Sequence, residues 1–184
     1  MQIRGVFLLD YIKLVNHTRD KDWEQFLTPE DWELCKEMIV PTAWYPVETM
    51  GRIARGIHEL ICNRDYNFIR LYGRTRAPEL FQDARPFLVK NDIAAALPSF
   101  RHIVDRYVDE VNVTVEHVAD DHCLVSWYPV DGAPSFDCYR EVMAGNLEWL
   151  IEENGGEDAI AEFIEERRDG RLACIIRVNW SSPD

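Results

Sequence analysis

The chain has 184 residues, 47% of them hydrophobic and 11% aromatic, with 20 Lys and Arg set against 33 Asp and Glu. A net charge of −13 opposes binding to nucleic acid or to an anionic membrane surface, since both require clustered cations. Length and apolar content suit one domain over 1–184 with a core of its own, and no repeat, low-complexity tract or linker divides it.

The opening MQIRGVFLLDYIKL has an apolar run that Asp10 and Lys13 cut short, so neither a signal peptide nor a membrane segment is expected. Five cysteines (Cys35, Cys62, Cys123, Cys138 and Cys174) are odd in number and form no C-x-x-C, which fits reduced thiols in a cytoplasmic protein. Residues 3–8 read as a strand, 10–17 as a short helix, and 20–27 as helical with Trp23, Phe26 and Leu27 on one side. Thr28-Pro29-Glu30-Asp31 is a helix start, with Thr28 as cap, Pro29 at the first position and acids facing the dipole. Trp32, Cys35 and Ile39 then face inward, and Pro41 ends that helix. Pro46 opens the next helix, where Val47, Met50, Ile53, Ile57, Leu60 and Ile61 form an apolar stripe reaching Cys62.

Residues 65–72 and 77–89 read as two helical pieces. Asp92 begins a longer helix with Ile93, Ala96, Leu97, Phe100, Ile103, Val104 and Tyr107 on one side, kinked or restarted at Pro98. Val111, Val113 and Val115 alternate with polar residues, and Asp120-Asp121 turns the chain into Cys123, Val125 and Trp127, a β-hairpin. Tyr139, Val142, Met143, Leu147, Leu150 and Ile151 recur at helical steps before Asn154-Gly155-Gly156, a left-handed stop. Gly145 inside that helix points to the close approach of another backbone. Residues 159–166 read as a strand, 168–170 as a turn, and Leu172, Cys174, Ile176, Val178 and Trp180 as one face of a second, antiparallel strand. The order predicts an α+β domain: a helical block on one antiparallel sheet made largely of two hairpins.

This final unit, a helix with a mid-helix Gly followed by a Gly-ended turn and a hairpin carrying Gly170, Cys174 and Trp180, resembles the C-terminal half of 4-vinyl-reductase-type domains. It is also similar to a related family of bacterial domains of unknown function, whose members share a short first strand like IRGVF and a Trp-Tyr-Pro element like Trp44-Tyr45-Pro46. The resemblance implies a 4-vinyl-reductase/TRAPP-like fold. Its fold relatives include heme-nitric-oxide-binding domains, aromatic-sensing domains of bacterial transcription activators, and small TRAPP subunits. What the resemblance implies is binding rather than catalysis.

Some aromatic-sensing relatives hold zinc. Here Cys138 and Cys174 match the outer ligand positions, but the inner ones fall near Glu166 and Phe163, so the set is broken and no metal is expected. Pro98-Ser99-Phe100-Arg101 resembles part of the heme-nitric-oxide signature, yet Leu97 stands where that signature has Tyr, so no cofactor is expected. No G-x-S-x-G, glycine-rich phosphate loop or H-E-x-x-H appears, and Glu152-Glu153 and Glu165-Glu166 read as solvated acids, so an enzyme is not expected.

An interior cavity with aromatic walls and polar tips is the favoured functional feature, drawn from Trp44, Tyr45, His58, His102 and Trp127. The bland reading of each is ordinary core. Trp44, between Pro41 and the 47–62 helix, is placed to staple two helices together or to line a cavity. The expected partners are a small apolar or aromatic molecule and a protein, including a second copy of the chain. A sensory or regulatory ligand-binding domain is the first reading, and a ligand-free interaction module, homodimeric through an exposed helix face, is the alternative.

Overall fold

The chain is described from a computed structural model over residues 1–82, 92–109, 112–128, 136–168 and 171–182. In order its elements are β1 (Gln2–Arg4), α1 (Gly5–His17), α2 (Pro29–Leu34), β2 (Trp44–Pro46), α3 (Val47–Leu60), α4 (Tyr66–Leu80), α5 (Ile93–Tyr107), β3 (Asn112–Val118), β4 (His122–Tyr128), α6 (Phe136–Glu153), β5 (Glu157–Arg168) and β6 (Arg171–Ser181). The two hairpins form an antiparallel sheet in the order β3-β4-β6-β5. Cys123, Val125 and Trp127 of β4 and Cys174, Ile176, Val178 and Trp180 of β6 are buried, as period-two alternation toward the helices requires. The turn at 168–170 and Val111 lie partly or wholly outside the described residues, as does the end of the 77–89 piece.

The helices-on-sheet architecture is present, but a second sheet accompanies it. β1 pairs antiparallel with β2, Ile3 opposite Tyr45 and Arg4 opposite Trp44. The strand expected over 3–8 therefore stops at Arg4, and Gly5 begins α1. Loop carbonyls make this possible: Gly5 N donates to Ala43 O at 2.9 Å and Val6 N to Pro41 O at 3.0 Å, which satisfies two amides that a helix start leaves orphaned. A Cβ on Gly5 would lie 2.3 Å from Val40 O, so only glycine fits there. Leu8, Tyr11, Ile12 and Val15 are the buried face of α1.

Around 20–27 the chain makes a single 3-10 turn, Trp23–Gln25, rather than a helix, and Trp23 is buried with its indole donating to Thr18 O. α2 carries the expected Thr28 cap as a reciprocal capping box with Asp31, but it ends at Leu34, well short of Pro41. Asn16 Nδ2 donates to Cys35 O at 2.9 Å, so the helix end is satisfied from α1 and the chain is released into an irregular segment where Met38 is exposed. Trp32 is half-buried, while Cys35 and Ile39 are buried.

The pieces expected around 65–72 and 77–89 are one helix, α4, through residue 80. Its Gly73 has no side chain because a Cβ would meet Val142 O at 2.3 Å, and a Cβ on Gly145 of α6 would meet Arg70 O at 2.1 Å. The two glycines face each other's helices, so α4 and α6 cross backbone to backbone. That close approach outweighs the roughly 1 kcal/mol each glycine costs in a helix. Phe81, just past α4, packs on Phe100 of α5 and Trp149 of α6 with centroids 6.3 and 5.4 Å apart, closing the space between the three helices. Among the described residues no helix is long and apolar enough to cross a membrane.

Candidate functional site

The five residues expected to line one cavity occupy four different places. Trp44 is 36% exposed on β2, its ring covered by the Arg4 guanidinium at 3.8 Å, and so is not a buried core staple. Edge placement explains this: a residue of a two-stranded sheet buries one face at most, and here the cation from the partner strand covers it. Tyr45 is half-buried and its hydroxyl accepts from Val40 N at 2.9 Å, tying down the loop whose carbonyls receive the first amides of α1. His102 stands on the outer, exposed side of α5, opposite Phe100, Ile103 and Val104. Trp127 is fully buried in the sheet, edge-on to Tyr139 at 6.2 Å. His58, in the last turn of α3, is buried, lies flat against Tyr66 at 3.9 Å, and has no hydrogen-bond partner at Nε2.

Residues not singled out from the sequence carry the more telling geometry. Tyr139, at the start of α6, has a buried hydroxyl with no partner, and burial raises its phenol above the ordinary range. Seven residues on, Asn146 is 4% exposed with Oδ1 unpartnered, its amide reaching only Met143 Sδ at 3.8 Å. Both lie on the α6 face that also carries Met143 and Leu150, so two polar tips project into an apolar surround. An Asn inside the run Met143 to Leu147 was the available signal. Such a residue on a buried helical face asks for a partner.

Cys138 Sγ donates to Ala54 O at 3.6 Å, and burial pushes its thiol up to about 12, so it is a protonated packing group. Cys174 is buried on β6, Glu166 falls outside the residues whose side chains are described, and among the described residues no three His, Cys, Asp or Glu converge.

Two ionic networks hold this frame. In the first, Asp31 at the start of α2 receives Arg52 Nε and Nη2 at 2.6 and 2.7 Å, Thr49 Oγ1 at 2.7 Å and Thr28 N at 2.9 Å. Burial pushes its carboxyl up, but the bonds from Arg52, Thr49 and Thr28 overcome this and leave it at about 2. In the second, Glu148 of α6 accepts Ala161 N of β5 at 3.0 Å and Arg70 Nη1 at 3.3 Å, while Glu152 accepts Ala159 N at 3.3 Å. Arg70 also donates to Ala161 O at 3.1 Å and to Glu141 at 2.8 Å, and Arg74 pairs with Glu152. Here burial wins over the Ala161 amide and the two arginines, and the Glu148 carboxyl is raised.

A half-open surface cleft of about 270 Å³ lies between Trp23 and Trp32 and is ringed by Arg19, Lys21, Lys36, Asp22 and Glu24. Its charges are of both signs, and they do not select a ligand.

No family model and no curated protein matches the chain. Solved structures do. The Fe(II) unliganded H-NOX protein from K. algicida superposes with a TM-score of 0.63 over 98% of each chain at 13% identity. Cs H-NOX gives 0.63 over 98% of each at 13% identity. A structure described for the modulation of heme redox potential through protein-induced porphyrin distortion gives 0.62 over 99% of this chain and 97% of that one, at 14% identity. At these identities the likeness is one of fold. Of the relatives implied by the sequence resemblance, these structures support the heme-nitric-oxide-binding branch.

Proposed function

We propose that this chain is a non-catalytic sensory or regulatory domain that binds a small, largely apolar molecule against the inner face of α6. The observation that carries the reading is the buried, unpartnered hydroxyl of Tyr139 beside Trp127. A phenol removed from water without a partner is costly, and a ligand carrying one hydrogen-bonding group would relieve that cost. The whole-length likeness to H-NOX structures supports a fold used for binding. A ligand sandwiched beside α6 would be felt by β5 through Glu148 and Glu152, giving the site a path to the surface of the sheet.

A second reading, the homodimeric or partner-binding module, is favoured by exposed Phe68 and Leu71, one turn apart on the outer side of α4, and by exposed Ile160 on β5. Native mass spectrometry of freshly purified protein separates the two. A co-purified organic molecule whose affinity falls roughly tenfold in Tyr139→Phe, the value of about one hydrogen bond, supports the binding site. Ligand-free protein that is dimeric, with Tyr139→Phe indistinguishable from wild type, supports the module instead.

A further inference from the structure

A fold shared with heme proteins raises the question of whether this interior accepts heme. A porphyrin needs a flat slot, with the ligand site as a whole on the order of several hundred Å³, and a side chain aimed at the iron from one face. The described elements are joined instead through close ring and backbone contacts. α1 is joined to α4 through Tyr11 and Tyr72, centroids 5.7 Å apart, and to α5 through Phe7 and Tyr107 at 5.2 Å. α4, α5 and α6 converge on Phe81, Phe100 and Trp149, of which Phe81 and Phe100 are no more than 1% exposed. α4 and α6 touch through backbone at Gly73 and Gly145, so nothing can pass between them there. α3 reaches α6 through the Cys138 to Ala54 bond, and β4 reaches it through Trp127 and Tyr139.

Among the histidines whose side chains are described, the donor set fails independently. His102 points outward, and Ser99 and Arg101, the residues resembling the heme-nitric-oxide signature, diverge: Ser99 is buried and bonded to Ala96 O, while Arg101 is exposed and paired with Asp105. His17 is exposed and His122 pairs with Asp121. His58 is buried with a free Nε2, but it sits at the α3–α4 turn with its face covered by Tyr66, outside the aromatic cluster. Cys123 and Cys138 are buried packing groups, and Cys138 Sγ is already committed to Ala54 O at 3.6 Å.

We infer that this chain carries the H-NOX fold with the space between α4, α5 and α6 closed to porphyrin: among the described residues Phe81, Phe100 and Trp149 occupy it, and the domain works without heme. This deepens the binding reading by removing one ligand class, and it can fail separately from it. The test titrates hemin into the purified full-length chain, passes the mixture over a desalting column and reads the Soret band, with His58→Ala and His102→Ala in parallel. The expected result is no hemin retained, or weak adsorption that neither substitution changes. One hemin retained per chain with a sharp Soret band, lost in either His variant or in neither, overturns the inference. Retained hemin together with a second, Tyr139-dependent ligand overturns the closure but leaves the binding reading standing. Neither hemin nor any co-purified molecule upholds the closure and sinks the binding reading.

Discussion

Asp31 and Glu148 are both carboxylates at least 95% buried beside arginine, yet one is driven down to about 2 and the other up. The difference lies in donor count and reach. Asp31 takes a two-pronged guanidinium, a hydroxyl and an amide, all within 2.9 Å, on a site assembled from neighbouring α2 and α3. Glu148 takes one amide at 3.0 Å and arginines at 3.3 and 4.0 Å, with Glu152 adding repulsion one turn away. The first is a closed knot that stabilises. The second clasps a sheet edge and remains electrostatically unfinished, the state expected of a joint rather than a rivet.

The sharpest way to break this contrast is Arg52→Met, which leaves Asp31 buried without its cation. We expect a loss of roughly 3–5 kcal/mol by urea denaturation, and a loss under about 1 kcal/mol would dissolve the knot. The same site fixes an acid response. Its folded pKa lies below the ordinary 3.8, so its contribution is present above that value and is lost as pH falls through about 2, amounting to roughly 2 kcal/mol that Asp31→Asn should abolish. At Glu148 the sign reverses. Its folded pKa lies above the ordinary 4.5, so the folded state holds its proton more tightly and stability declines as pH rises through that window. Glu148→Gln, which retains an acceptor for Ala161 N, should be nearly neutral, within about 1 kcal/mol, and compare most favourably with wild type at neutral rather than acid pH. A constant difference across pH would remove the contrast. The smallest effect belongs to Trp44→Ala, outside both networks, where loss of an exposed cation–π contact predicts less than about 1 kcal/mol.

What the sequence made legible follows periodicity. Val113 and Cys123-Val125-Trp127 alternate, and Met143, Leu147 and Leu150 recur helically, so the hairpins and α6 stand where expected. Gly145 announced a close backbone, although its partner, the α4 backbone at Arg70, lay beyond reach of any local pattern. The N-terminus misled because IRGVFLL is rich in strand formers, and the carbonyls of Pro41 and Ala43 that start α1 come from nearly forty positions away. His102 was misplaced avoidably: Phe100, Ile103 and Val104 already assign it to the opposite face of the helix. Trp44 was harder, since nothing local reveals that Arg4 lies across it. Tyr139 read as core, and its lack of a partner is a property of surroundings that one sequence does not display.

The clasp on β5 also sets a timetable for biosynthesis. Arg70 finds its acceptor at Ala161, 91 positions later, and Glu148 finds its amide 13 positions later. While the ribosome is still delivering the second hairpin, α4 and α6 can cross at their glycines, but their buried charges face an absent strand. Arg70 can already pair with Glu141 and Arg74 with Glu152 across that crossing, but the two bonds to Ala161 wait until β5 emerges, so final locking follows translation of the whole sheet. A nascent chain stalled before residue 157 should remain protease-sensitive along α4, however complete its helices.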